Sequence, residues 1–164
     1  KNISTANVEA MTMHGAGSIG VQEYANAKMR PNGAKLTKLE QRWRQVRVLI
    51  MEEISMISAG LYNMLDFRCM LGRSQDLCVD ESNYKTDHHH FGRVPIVIHL
   101  GDFLQLTPTK AIGLIKDVNE KDEDGNYKLN SPPSVEVQNA IRAFGNVHHV
   151  IELRAPSASN RATR

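Results

Sequence analysis

Near-continuous apolar runs occur at three places in the chain: Val46–Met51 (VRVLIM), Val94–Leu100 (VPIVIHL) and His148–Leu153 (HHVIEL). Apolarity without strict alternation is the pattern of strands covered on both faces, as in a parallel sheet flanked by helices. A different period runs between them. After Ser55 the positions Met56, Ile57, Leu61, Met64, Leu65 and Met70 recur three and four apart, and this stripe predicts a helix ending near Gly72. The segment PPSVEVQNAIRAF predicts a second helix, with Pro132 and Pro133 at its start and Val135, Ile141 and Phe144 facing inward. Strand, helix, strand, helix, strand implies an α/β layer fold. Two polar stretches rich in turn formers, near 73–92 and 117–133, read as surface loops, and no internal repeat is visible.

Composition narrows this only a little. The 164 residues, 41% of them hydrophobic, suffice for one domain with a real core. A net charge of +2 is too small to argue for a polyanionic partner by itself. Two cysteines, Cys69 and Cys78, are too few for a disulfide framework, and no apolar run suits a membrane span or a secretion signal. A reducing, soluble compartment is therefore expected. The chain opens at Lys1 without an initiator methionine and closes on a polar tail, 155–164, so residues 1–154 read as a domain cut from a longer protein.

Chemistry gathers where the strands end. Ligands of open parallel sheets bind beyond the carboxyl ends of the strands. The first run ends in Glu52, Glu53, Ile54 and Ser55, and the second in GDFLQLTP, with Asp102 and Gln105. Adjacent carboxylates after an apolar strand suit a magnesium-nucleotide site, in which one acid holds the hydrated metal and the next orients or deprotonates water. Like charges side by side are costly unless a cation compensates them. Taken alone, the acid pair is explained as well by a strand that ends at solvent.

The two motifs together, VLIMEEISM and FGRVPIVIHLGDFLQLTP some fifty residues later, resemble the PIF-type (petite integration frequency) ATP-dependent DNA helicases, superfamily 1 relatives of the RecD helicases. That family reads strand-DEISM, then FGG, an apolar strand and GDFxQLPP. The segments MTMHGAGSIG and AFGNVHHVIELRAPSASNR are similar to its flanking motifs, so the likeness covers most of the chain. It implies a partial first motor domain with a RecA-like parallel sheet of the P-loop NTPase type. The implied activity is ATP-dependent 5′-to-3′ DNA unwinding with Mg2+, acting on single-stranded DNA or DNA junctions in repair, recombination and telomere maintenance. A monomer in the nucleus or the mitochondrion, without a membrane partner, is implied as well. By the same resemblance Glu52 stands at the magnesium-holding position and Glu53 at the water-activating one. Asp102 and Gln105 fall in the segment that senses the γ-phosphate, with Gln105 as the phosphate contact. Ser55 lies near the same pocket, and His14 matches a histidine near the DNA-binding face. Arg161 stands where the family has an arginine, but Ala162 replaces the glutamine that should follow it.

Departures from the family pattern matter equally. Glu52 replaces an aspartate, and its extra methylene pushes the carboxylate farther out, toward a metal that demands near-ideal octahedral geometry. Thr107 replaces a proline and Arg93 a glycine. No G-x-x-x-x-G-K-[ST] occurs, so the backbone cradle and lysine that bind phosphates are missing from this sequence. The match begins just after where that loop would lie, which a fragment explains better than a mutated loop.

Other features have blander explanations. GAGSIG fits the spelling of a dinucleotide loop, but no strand-like run precedes it. DEDGN opens like a calcium loop, yet Tyr127 and Pro133 occupy the places of the required glycine and glutamate. Cys69, Cys78 and His88–His90 lack any C-x-x-C pairing for zinc. The basic run containing Lys28, Arg30, Lys35, Lys38, Arg42, Arg44 and Arg47, with Trp43 among them, suits a phosphate backbone, but more simply a solvated helix face pinned to the core by Trp43. Two functional readings remain: part of a helicase motor, or a non-catalytic helicase remnant, derived from a mobile element, with at most weak nucleic-acid binding.

Overall fold

A computed structural model describes residues 10–20, 31–77, 90–104, 106, 108, 113–114 and 134–153. Its elements follow in the order α1 (Met13–Ala16), α2 (Gly33–Trp43), β1 (Val48–Met51), α3 (Ala59–Leu77), β2 (Ile96–His99) and α4 (Val135–Gly145). Short 3-10 turns lie at Ile54–Met56 and His90–Arg93. The strands pair in parallel, Val48 opposite Ile96 through Met51 opposite His99, as the α/β reading requires.

α3 is the axis of the core. Tyr62, Met64, Leu65, Cys69, Met70 and Leu71 are buried, and so are the polar Asn63, Asp66, Arg68 and Arg73. Burial around the whole circumference marks a surrounded helix, and α1, α2, α4 and the His90–Arg93 turn all pack against it. α2 is capped at its start by Asn32, whose Oδ1 accepts from the Lys35 amide. Its other end serves α1: Arg42 donates to the carbonyls of Gly15 (2.9 Å) and Ala16 (3.1 Å), and the Trp43 indole donates to Ala16 (3.2 Å). The Gly15 carbonyl also accepts from the Ser18 amide at 3.2 Å, so two members of the basic run complete the cap of this short helix.

Each strand alternates. Leu49, Met51 and Val97 face the core, whereas Val48, Ile50, Ile96 and Ile98 are exposed on the opposite face. The apolar run therefore recorded a face that nothing covers among the described residues. The third expected strand does not form: His148–Leu153 has no regular structure, with Val150, Ile151 and Leu153 exposed to 87%, 84% and 93%. Apolarity reports fitness for burial, but a strand also needs a neighbouring ladder for its amides.

Further differences follow from packing. The helix expected to stop near Gly72 continues to Leu77, so its last turns fall within the loop expected at 73–92. His90–Arg93 at the far end of that loop forms the second 3-10 turn. Met56 belongs to the first 3-10 turn, ahead of α3, and is exposed. Val135 opens α4 on its solvent side, and the buried face is built from Val137, Ala140 and Ala143, with Ile141 and Phe144 partly buried as expected. The loop expected at 117–133, Pro132 and Pro133 included, lies outside the described residues, as do residues 78–89 and the tail from 154 onward.

Candidate active site

The carboxyl ends of β1 and β2 are tied together beyond their last paired residues. Leu100 donates its amide to the carbonyl of Met51 at 2.8 Å, continuing the ladder. In a regular parallel ladder its own carbonyl would then accept from residue 53. Instead it accepts from the amide of Ile54 at 3.0 Å. Glu52 and Glu53 thus fill the place of a single residue, which is a β-bulge at the strand end. Glu53 carries the distortion, with φ 52° and ψ 43° in the left-handed region. That conformation costs a non-glycine residue about 1–2 kcal/mol and persists only where the surrounding structure over-determines it, as it commonly does at ligand sites.

The bulge turns both acids outward. Glu52 and Glu53 are exposed, neither carboxylate has a hydrogen-bond or ion-pair partner among the described residues, and together with Leu100 and Gly101 they line an open cleft of about 290 Å³. Behind them the chain turns inward at once. Ile54 and Ser55 are buried, and the Ser55 hydroxyl has no hydrogen-bond partner among the described residues. An orphaned buried hydroxyl is uncommon in a native fold and suits a position beside a polar ligand.

Other residues expected at the site are placed differently. Asp102 is exposed beyond the cleft, and its Oδ1 accepts from the Leu104 amide at 2.9 Å, closing an Asx turn within its own loop. Gln105 lies outside the described residues, as do Thr107 and Arg161. His14 sits in α1, whose contacts run to α2 and α3. No group of three or more His, Cys, Asp or Glu side chains suited to a metal ion occurs among the described residues.

Sequence reasoning passed over two supports of the site. Gly101 is the first: a Cβ there would lie 2.8 Å from Ile54 Cγ2 and 2.9 Å from the Ile54 nitrogen. A glycine directly after an apolar strand is the signal of such a close approach. The second is a polar clamp at the entrance of β2. Asp66 of α3 accepts from the Phe91 amide and pairs with His90 Nδ1 at 2.9 Å. Two turns on, Arg73 donates to the carbonyls of Gly92 (2.6 Å), Trp43 (2.8 Å) and Val46 (3.1 Å). Phe91, Gly92 and Arg93 all have positive φ, and the clamp secures this left-handed run just before the strand. Of its members only Asp66 fell inside the predicted helix, while Arg73 and His90 fell in the stretch read as a loop.

A family model described as PIF1-like helicase matches residues 3–121. Three curated relatives, each named "ATP-dependent DNA helicase PIF1", align at low identity. The protein of Saccharomyces cerevisiae is 25% identical over 152 residues, covering 90% of this chain and 16% of its own length. That of Emericella nidulans is 26% identical over 106 residues, 65% of this chain and 12% of its own. The Candida albicans protein is 27% identical over 106 residues, 65% of this chain and 10% of its own. The chain thus spans between a tenth and a sixth of the length of these relatives. No solved structure matches. With the parallel strand pair and its flanking helices, the match makes this a partial α/β domain of the RecA-like, P-loop NTPase type.

Proposed function

The chain belongs to the PIF1-like helicase family, and we propose on that premise that it is part of the first motor domain of an ATP-dependent DNA helicase. The observation that carries the proposal is the bulge: two carboxylates without a partner among the described residues stand at the joined ends of two parallel strands, where open sheets bind ligands. Magnesium in nucleotide sites takes one or two carboxylates and completes its shell with water and phosphate oxygens, so the absence of a three-ligand cluster among the described residues does not conflict with the role. Glu52 would hold the metal, whose chemistry is to neutralise charge on the phosphates. Glu53, held by the bulge at the cleft wall, orients the attacking water and takes its proton. The buried Ser55 hydroxyl is available to the same ligand. Asp102 shapes the loop that carries Gln105, and Gln105 reads the γ-phosphate. His14 stands toward the DNA side.

In the whole protein this motor acts on single-stranded DNA or DNA junctions, moving 5′ to 3′, as a monomer, in repair, recombination and telomere maintenance, in the nucleus or the mitochondrion. Among the described residues no helix is long and apolar enough to cross a membrane. The phosphate-binding loop is contributed by other parts of that protein. The test is Glu53→Gln in the full-length protein, which should abolish DNA-stimulated ATP hydrolysis while nucleotide binding survives. Undiminished turnover would refute the assignment.

The glutamate at position 52 favours a second reading, a remnant that keeps the fold without the motor. Glu52→Asp separates the two. Unchanged inactivity in a full-length protein bearing an intact phosphate loop would support the remnant.

A further inference from the structure

His99 is the last residue of β2 and leads into Leu100 and Gly101 of the cleft. An imidazole within an apolar strand is unexpected, and its surroundings show what it does. Its Nε2 lies 3.1 Å from the hydroxyl of Tyr62, which is fully buried on α3. The Phe144 ring of α4 stands edge-on to the imidazole at 5.5 Å, and Phe91 lies at 6.4 Å. Phe144 in turn meets Phe103, in the loop after Gly101, at 5.8 Å. One side chain therefore joins α3, the His90–Arg93 turn and α4 to the strand whose next residue hydrogen-bonds across the bulge.

We infer that His99 is a positioning residue for the Glu52–Glu53 bulge: its hydrogen bond to Tyr62 anchors the end of β2, and that anchor holds Leu100 where it clasps Met51 and Ile54. The inference rests on the nucleotide-site reading for its purpose but not for its geometry. Burial holds both partners of the bond in their neutral forms. Burial lowers the imidazole pKa, while burial, and then the Asp66 charge, raise that of the Tyr62 phenol. In the tautomer with the imidazole proton on Nδ1, the Tyr62 O–H donates to Nε2. Among the described residues, charged or titratable neighbours are few. α3 offers Tyr62 and, one turn on, Asp66, which is paired with His90 of the turn; Arg142 of α4 is exposed; and β1 places Met51 opposite, with Glu52 next.

The sign of the pH effect follows. A histidine whose pKa is lowered in the anchored state leaves that state at full strength above the ordinary value of 6.5 and weakens it as pH falls below that value, because the released state binds the proton more readily.

Amide hydrogen exchange of the chain, read at Leu100 and Ile54, is the test. Their protection, corrected for intrinsic exchange, should fall at least about threefold from about pH 7.5 to about pH 5.5, while that of α2 stays constant. His99→Gln, which retains an acceptor but does not titrate, should keep protection and lose its pH dependence; Tyr62→Phe should lower protection at every pH. His90→Gln should leave the effect in place. A flat wild-type profile, an unchanged profile in His99→Gln, or loss of the effect in His90→Gln would overturn the inference. Addition of Mg-ATP to the full-length protein forms a separate arm. If Mg-ATP leaves the exchange of Ile54 and Leu100 unaltered while the pH effect persists, the nucleotide reading fails and the anchor stands.

Discussion

Gly101 and Ile54 approach so closely that no side chain fits between them: a Cβ on Gly101 would sit 2.8 Å from Ile54 Cγ2 and 2.9 Å from the Ile54 nitrogen. The obstacle on one side is backbone already engaged with the Leu100 carbonyl, so it has nowhere to retreat. Gly101→Ala should therefore destabilise the chain by about 1–3 kcal/mol, the usual cost of forcing atoms into a packed site. Chemical denaturation measures the loss. A neutral result would show that the two strand ends are not clasped as described.

Glu53 invites the opposite substitution. Its left-handed φ of 52° disfavours any residue with a Cβ, and glycine there should raise stability by about 0.5–1 kcal/mol. The same change removes the carboxylate proposed to activate water. Glu53→Gly in the full-length protein should thus be more stable by denaturation and inactive in ATP hydrolysis. A gain in stability with full activity would leave the strain in place but remove its catalytic explanation.

How far the sequence revealed the fold depends on which physics each segment obeys. β1, β2 and the presence of α3 were legible because apolar period is a local signal. The continuation of α3 through Gly72 was not, because a glycine can end a helix or admit a neighbour, and the sequence does not separate the two. Here it admits one: a Cβ at Gly72 would meet Trp43 Cβ and Cδ1 at 2.9 Å and the Leu39 carbonyl at 3.0 Å. Glu52 and Glu53 were legible as chemistry, but the bulge that aims them was not, since it exists only in the hydrogen bonds of Leu100. Asp66, Arg73 and the Tyr62–His99 pair stayed hidden because each joins residues distant in sequence.

The Gly72 contact sets two effects against each other. Alanine is the better helix former by about 1 kcal/mol. Its methyl would push α2 from α3 at Trp43, a buried anchor of the core. The clash involves a ring and a backbone carbonyl rather than a flexible tip, so Gly72→Ala should be net destabilising, by about 1–2 kcal/mol. Thermal unfolding decides which effect dominates.

Cys69 is fully buried on α3, and burial first, then the Asp66 charge, raises its thiol pKa well above the ordinary value. Since the thiolate is the reactive species, Cys69 should resist alkylation in the native chain and react at the ordinary rate only after unfolding. A Cys78→Ser background makes the readout specific to Cys69. Modification at native conditions in step with a small free thiol would contradict the packing around α3.

Arg73 supports the entrance of β2 through three backbone carbonyls, on Gly92, Trp43 and Val46, and is itself buried. The Trp43 and Val46 carbonyls belong to the chain leading from α2 into β1, while Gly92 belongs to the left-handed turn before β2. A single guanidinium thus fixes the starts of both strands, and truncation to methionine would keep much of the volume while leaving three acceptors without this donor. Each buried hydrogen bond to a charged group contributes about 1.5–3 kcal/mol, and the contributions overlap when one side chain makes them all. Arg73→Met should therefore destabilise the chain by about 3–5 kcal/mol. Arg73→Lys, which offers a point charge in place of the planar fork and reaches fewer of the carbonyls, should recover only part of that loss. Equal stability of Arg73→Lys and the parent in urea denaturation would show that the charge alone, without the fork, holds the two strands in register.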